Sequence, residues 1–306
     1  MRGALAIIGA GRVGRALGRR LHELGWKIGA VVTRNEASAR KSVRFIGAGK
    51  ARAALSLDVL AARLILISTP DEAIAPVARK LARICGEELR GKIVMHLSGA
   101  LSAGVLKPVR NRGASTASMH PLQSFSGVAV PSLDGKVFAI EGDAAAVRCA
   151  RQIVRALGGV PVQIAGRSKP LYHAAAAFAA GHVLAIEEAA VQLLMLAGMK
   201  RVEAIRALLQ LTRQVLDNFE RLGPTAAWTG PLARGDFAVI ATHMSAMQRL
   251  PREFLKAYSA LNDLATQVLS SEPSGMRAGW NGNSKSKRAP AKARFTGGKG
   301  CSSRTL

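Results

Sequence analysis

The chain of 306 residues has little cysteine, few aromatics and few acids. Its three cysteines, Cys85, Cys149 and Cys301, are isolated and odd in number. That excludes a zinc site of ordinary ligand spacing and an even-numbered disulfide framework, and it suits a reducing compartment. Phe, Trp and Tyr make up 4% of the residues, and there is no aromatic-rich RNA-binding motif, helix-turn-helix signature or zinc finger. The net charge of +25 is therefore no nucleic-acid signature by itself. No long apolar run is uninterrupted. The longest, 174–198, is broken by His182, Glu187, Glu188 and Gln192. An adjacent glutamate pair argues against a bilayer and for a helix packed on other helices or on a second copy, so a homodimer through the helical half is expected. The first residues enter a strand without the sections of a signal peptide, so the expected location is cytoplasmic.

The 44 Lys+Arg against 19 Asp+Glu are unevenly placed. Residues 272–306 hold eight of the basic residues and one acid among Ser, Gly and Asn, with no apolar period, and are expected to be a disordered basic tail. A weak contact of this tail with nucleic acid is the one such contact the composition allows. Elsewhere the basic residues are spread along amphipathic segments and read as a solvated surface.

What is present begins at the first residues. The apolar stretch 4–8 runs into Gly9-Ala10-Gly11-Arg12-Val13-Gly14 and then a helical pattern, and a second apolar stretch follows at 27–32. In this strand–turn–helix setting Gly9 permits the turn, Gly11 lets the backbone approach a pyrophosphate, and Gly14 allows close packing of the helix. The anion sits on the helix N-terminus, with Arg12 and Val13 beside it. No acid follows the second strand to accept a ribose 2′-hydroxyl; Thr33, Arg34 and Asn35 stand there instead. A guanidinium with hydroxyl and amide neighbours suits a 2′-phosphate, so NADP(H) is expected over NAD(H).

Apolar strand patterns at 64–68, 92–96, 114–119, 137–140 and 160–164 alternate with helical ones. The expected fold is α/β, a Rossmann-type doubly wound parallel sheet over residues 1–165, followed by an all-α domain over 166–271 with helices near 169–198, 201–221, 235–248 and 252–270. Ligands of such sheets bind beyond the carboxyl ends of the strands. That selects Ser68, Thr69 and Pro70 for the cofactor, Ser98 as a turn residue of the nicotinamide pocket, and His120 and Gln123 for the substrate. His120 exchanges protons near neutrality; its alternative role is packing against Phe125. Arg234, in the turn Gly230–Asp236, reads as a clamp for a substrate carboxylate or phosphate, or as one arm of a salt bridge, and Asp236 reads as a helix N-cap.

Taken together, Ile8–Gly14, Ser98–Leu101, His120–Phe125, Tyr172-His173 and Thr229–Asp236 resemble, over residues 4–270, the Rossmann-like proteins that carry a domain of unknown function, DUF2520. The resemblance implies an NADP-dependent oxidoreductase similar in plan to pyrroline-5-carboxylate reductase and to the 6-phosphogluconate and β-hydroxyacid dehydrogenases, and it implies no substrate. In the β-hydroxyacid group a lysine opens the first helix after the nucleotide domain, with polar residues three and four positions on. Lys169, Tyr172 and His173 keep that spacing, which puts them on one helix face, although Tyr-His replaces the usual asparagine-containing pair and Pro170 sets Lys169 at the helix entrance. Lys169 is thus a candidate proton donor or an exposed lysine, and Tyr172 and His173 orient a substrate or cap the preceding loop. The resulting expectation is a reductase or dehydrogenase for a small polar carbonyl, hydroxyl or imine compound held between the domains. Its rival is a non-catalytic NADP(H)-binding sensor or scaffold.

Overall fold

The structure is a computed structural model that describes residues 4–270; the expected basic tail and Cys301 lie outside these. The chain divides into two compact units, the first ending at Leu184 and the second beginning at Ala185.

The first unit is built on an eight-stranded sheet: β1 (Ala4–Ile8), β2 (Lys27–Val32), β3 (Lys50–Arg52), β4 (Leu64–Ile67), β5 (Ile93–His96), β6 (Ser115–Pro121), β7 (Val137–Gly142) and β8 (Val160–Gln163), in the order β3-β2-β1-β4-β5-β6-β7-β8. Its helices are α1 (Arg12–Glu23), α2 (Glu36–Ile46), α3 (Asp71–Cys85), α4 (Lys107–Arg110), α5 (Ala144–Ala156) and α6 (Lys169–Ala177). Successive side chains of a strand point to opposite faces, and here both faces are dry. Leu5 and Ile7 of β1 join a core with Leu17 and Leu21 of α1, Ile46 of α2 and Ile153 of α5. Ala6 and Ile8 join a second core with Ile74, Ala78 and Leu81 of α3 and Val109 of α4. Burial on both faces explains why the strands read as continuous apolar runs.

The sheet is parallel except that β7 runs antiparallel to β6. The link 122–136 contains no helix, and a parallel partner needs a crossover of that kind. α5 supplies one, and β8 is again parallel to β7. The order reverses between β1 and β4, the switch point at which such sheets open a crevice.

The second unit is helical: most of α7 (Val183–Leu196), then α8 (Arg201–Ala227), α9 (Pro231–Arg234), α10 (Phe237–Ala246) and α11 (Arg252–Ser270). α8 runs past the expected end near 221 and breaks at Gly223 (φ 82°), where Pro224 supplies no N–H to the helix ladder. The glutamate pair serves two partners: Glu188 takes a bidentate ion pair from Arg201 at 2.8 Å on each oxygen, and Glu187 accepts from the Thr212 hydroxyl. Apolar side chains on these helices stay outside, among them Leu184 (71% exposed), Leu196 (69%), Val202 (68%) and Leu211 (61%). Among the described residues, 166–196 is the one helix long and apolar enough to cross a bilayer, by length and composition.

Candidate active site

The turn after β1 is held by two backbone bonds, Gly9 N–H to Val32 O and Ser68 N–H to Ile8 O, both 2.8 Å. Gly9 has φ +82°, and a Cβ there would lie 2.5 Å from Thr69 Cγ2 and 2.7 Å from Thr69 N. Gly14 faces the residue after β4: its Cβ would meet Ser68 Oγ at 2.7 Å and Gly9 O at 2.9 Å. The close approach of α1 to β1 is made one turn later at Gly18, whose Cβ would lie 2.7 Å from Ile7 Cδ1. Gly11 differs from all three, because the nearest atom to a Cβ there is Ser68 O at 3.9 Å. Gly11 sits at the N-cap of α1, no side chain caps that end, and the first turn carries no acid. Open space over a glycine at an uncapped helix N-terminus is a cradle for an anion. The residues present therefore fit the pyrophosphate of a dinucleotide.

Around this cradle, Val13 packs against the core, and the Arg12 side chain lies against Gly127, so the link 122–136 passes beside the glycine turn. Thr69 Oγ1 is buried without a hydrogen-bond partner, and Pro70 stands at the N-cap of α3. At the end of β2, the Thr33 hydroxyl donates to Asn35 O at 2.7 Å, and Asn35 Oδ1 caps α2 by accepting from Ser38 N–H at 2.9 Å. Thr33 and Asn35 thus shape the turn that carries the exposed Arg34. Arg52 ends β3 directly beside it: Thr33 N–H donates to Arg52 O at 3.0 Å, and the Arg52 guanidinium pairs with Asp58. This second guanidinium was missed from sequence because β3 is only three residues long.

The ends of β5 and β6 carry a polar cluster. Lys169, first residue of α6, is fully buried. Its Nζ donates to Ser98 O at 2.6 Å and to Ser118 Oγ at 2.7 Å, and it stands 5.9 Å from the Tyr172 ring centre. Burial pulls its pKa down to about 8, against the pull of Glu141 and Asp71. Ser98 closes the turn: its Oγ donates to Asp71 Oδ2 at 2.8 Å and accepts from Ala100 N–H and Leu101 N–H. His96 is buried beneath it. Nδ1 accepts from Ser98 N–H, so Nε2 carries the proton and donates to Ser102 O, both at 3.2 Å. Burial pushes His96 down to about 4, so the ring is neutral. Glu141 is buried too, accepts from Ala103 N–H at 2.5 Å, and is raised by its burial.

Above the turn, His120 Nδ1 and the Tyr172 hydroxyl share a hydrogen bond of 2.8 Å, and the His173 ring stands edge-on to His120 with centroids 5.9 Å apart. Both imidazoles rest on Gly99. A Cβ there would meet His173 Nδ1 at 2.5 Å and His120 Nε2 at 2.9 Å. Burial, then the Lys169 charge, push His120 to about 4, and burial raises Tyr172 to about 12. The hydrogen-bonded pair is therefore neutral near pH 7 and offers one polar proton and one lone pair to a bound compound.

The structure thus brings Ser98, His120, Lys169, Tyr172 and His173 together. Asp71, Ser118 and Glu141 join them through contacts distant in sequence, and His96 through Ser98, two residues on. Gln123 follows β6, its N–H turned back to Pro121 O at 2.9 Å. Arg234 belongs to the second unit, where its guanidinium pairs with Asp236 at 2.8 Å. Asp236 stands at the N-cap of α10 but makes no side-chain cap bond, because its carboxylate is engaged by Arg234 instead.

Solved structures share this fold at low identity. A provisionally described NADP oxidoreductase of Bacteroides fragilis is 22% identical with TM-score 0.71, over 87% of this chain and 98% of its own. A reductive aminase of Aspergillus terreus, solved with NADPH and ethyl-5-oxohexanoate, is 18% identical with TM-score 0.67, over 88% and 95%. A pyrroline-5-carboxylate reductase of Coxiella burnetii is 15% identical with TM-score 0.57, over 89% and 100%. No curated protein matches the chain in sequence. Residues 1–121 match the family model of a Rossmann-like domain, and residues 136–264 match that of DUF2520, a domain of unknown function. The chain is a Rossmann-like protein that carries a DUF2520 domain.

Proposed function

We propose that this protein is an NADP(H)-dependent oxidoreductase of the cytoplasm, acting on a small polar carbonyl, hydroxyl or imine compound. The observation that carries the reading is the open glycine cradle at α1 in the same unit as a neutral His120–Tyr172 pair at the neighbouring strand ends. The names of the neighbours agree with it: one is described as an NADP oxidoreductase and another was solved with NADPH. The nicotinamide supplies or accepts the hydride. Gly9, Gly11, Arg12, Val13 and Gly14, with Ser68, Thr69 and Pro70, hold the dinucleotide. Arg34, in the turn shaped by Thr33 and Asn35, meets the 2′-phosphate. His120, Tyr172 and His173 form the catalytic group, with Lys169 beneath them and Ser98 and Gln123 on the substrate side.

Arg34→Ala tests the cofactor assignment. Loss of one charge-assisted hydrogen bond of about 1.5–3 kcal/mol weakens NADPH roughly 10- to 100-fold and leaves NADH unchanged. Equal weakening of both cofactors would remove Arg34 from the 2′-phosphate site. Turnover is then sought by following NADPH absorbance against a panel of carbonyl compounds, alone and with amines. Tight NADPH binding without turnover of any of them would favour the sensor reading.

The exposed apolar faces of α7 and α8 are covered, on this reading, by a second copy. Glu187, Glu188 and Arg201 lie among the apolar positions, and a bilayer disfavours such charges. Light scattering after gel filtration is expected to give twice the 32.1 kDa chain mass, and Leu196→Glu to shift it to the monomer. A monomer that instead sediments with lipid vesicles would overturn the dimer.

A further inference from the structure

Lys169 is the one lysine of the cluster, and the resemblance to the β-hydroxyacid enzymes would make it the proton donor. Its surroundings argue for different work. The side chain is fully buried, and two of its three N–H donors are spent on Ser98 O and Ser118 Oγ. Ser118 Oγ donates to that same Ser98 carbonyl at 3.2 Å, and the Ser98 side chain is fastened to Asp71. Every one of these bonds fixes the peptide leading into Gly99, on which His120 and His173 rest. The groups of the cluster that reach the surface are Asp71, His120, Tyr172 and His173, whereas Lys169 is fully buried.

We propose that Lys169 is a positioning residue: its buried side chain anchors the Ser98–Gly99 turn on which His120 and His173 rest, and the His120–Tyr172 pair, not Lys169, meets the substrate. This rests on the oxidoreductase reading for the reaction it serves. The charged and titratable groups facing His120 are Lys169, Tyr172 and His173 of α6, Asp71 of α3 and His96 of β5. The Lys169 charge disfavours an imidazolium at His120 and Asp71 favours it.

Two measurements on the full-length protein test this without substrate or NADPH, so a failed cofactor titration and a failed proposal are told apart. In the first, native protein is acetylated with limiting acetic anhydride at pH 8 and each lysine is mapped by mass spectrometry. A lysine titrating near 8 and open to a substrate reacts faster than ordinary lysines. The enclosed Lys169 is expected to react at least about tenfold more slowly than the exposed Lys41 and Lys80. Reaction at their rate or faster overturns the proposal. In the second, imidazole NMR follows His120 through pH in wild type, Lys169→Met and Lys169→Arg. The Met variant is expected to raise the His120 midpoint by about one unit and the Arg variant to restore it. A folded Met variant with an unmoved midpoint contradicts the electrostatic role. Should the Met variant fail to fold, the acetylation rate decides alone.

Discussion

Gly9→Ala is expected to lower Tm by about 6–12 °C and to abolish NADPH binding. Two penalties coincide at this position. Alanine at φ +82° is strained by about 1–2 kcal/mol, and its methyl would press on the Thr69 backbone nitrogen at 2.7 Å. Backbone does not yield as a side-chain tip does. Relief would break Gly9 N–H to Val32 O or Ser68 N–H to Ile8 O, the bonds that tie β1 to both neighbours. Overpacking of this kind adds about 1–3 kcal/mol. At roughly 2–4 °C per kcal/mol for a chain of this size, a sum of about 3 kcal/mol gives the stated range. Gly11→Ala is the control: with φ −69° and its nearest neighbour at 3.9 Å, it keeps the wild-type Tm. Its methyl occupies only the space intended for the ligand. Scanning fluorimetry and calorimetric NADPH titration of the pair separate the two effects. Unimpaired NADPH binding by Gly11→Ala would mean that the cradle is not where the pyrophosphate lies.

Gly99→Ala is the second large effect, with the opposite signature. The methyl would stand 2.5 Å from His173 Nδ1 and 2.9 Å from His120 Nε2. Both are side-chain atoms, and His173 is exposed, so the rings swing aside and the fold tolerates the change with Tm within about 3 °C. The His120–Tyr172 hydrogen bond is lost in the process. Misplacing reacting groups by about 1 Å costs on the order of 100-fold in turnover, so kcat on the substrate returned by the screen should fall by that factor with NADPH affinity unchanged. The imidazole NMR signals of His120 and His173 should both move. Full activity in Gly99→Ala would exclude these imidazoles from the chemistry.

The parts of this molecule legible in its sequence are those fixed by local pattern. Gly9, Gly11 and Gly14 between an apolar strand and a helix announce the turn at any distance from the rest of the fold, and the three- and four-residue spacing from Lys169 puts Tyr172 and His173 beside it. β3 was not legible, because Lys50-Ala51-Arg52 has neither an apolar run nor alternation and is recruited by pairing with β2. The direction of β7 was not legible either. Val137–Ile140 reads the same in both senses, and only the helix-free link before it decides. For Lys169 the face was readable but the depth was not. A side chain at the first position of a helix leans toward the N-terminus, and here that direction leads between the ends of β5 and β6, 71 and 51 residues back in the chain. Asp71 and His96 stand at strand ends where ligands are expected but had no readable role of their own, and Glu141 carried no signal; the roles of Asp71 and Glu141 come from partners distant in sequence and that of His96 from its burial.

The central claim is that the turn at Gly9–Gly14 holds a phosphorylated dinucleotide. Calorimetric titration of the full-length protein with NADPH and, in parallel, NADH tests it most directly. Saturable binding of NADPH, tighter than NADH by about 10-fold or more and lost in Gly11→Ala, is the expected result. Absence of heat with either nucleotide from folded protein would contradict the account and take the oxidoreductase reading with it.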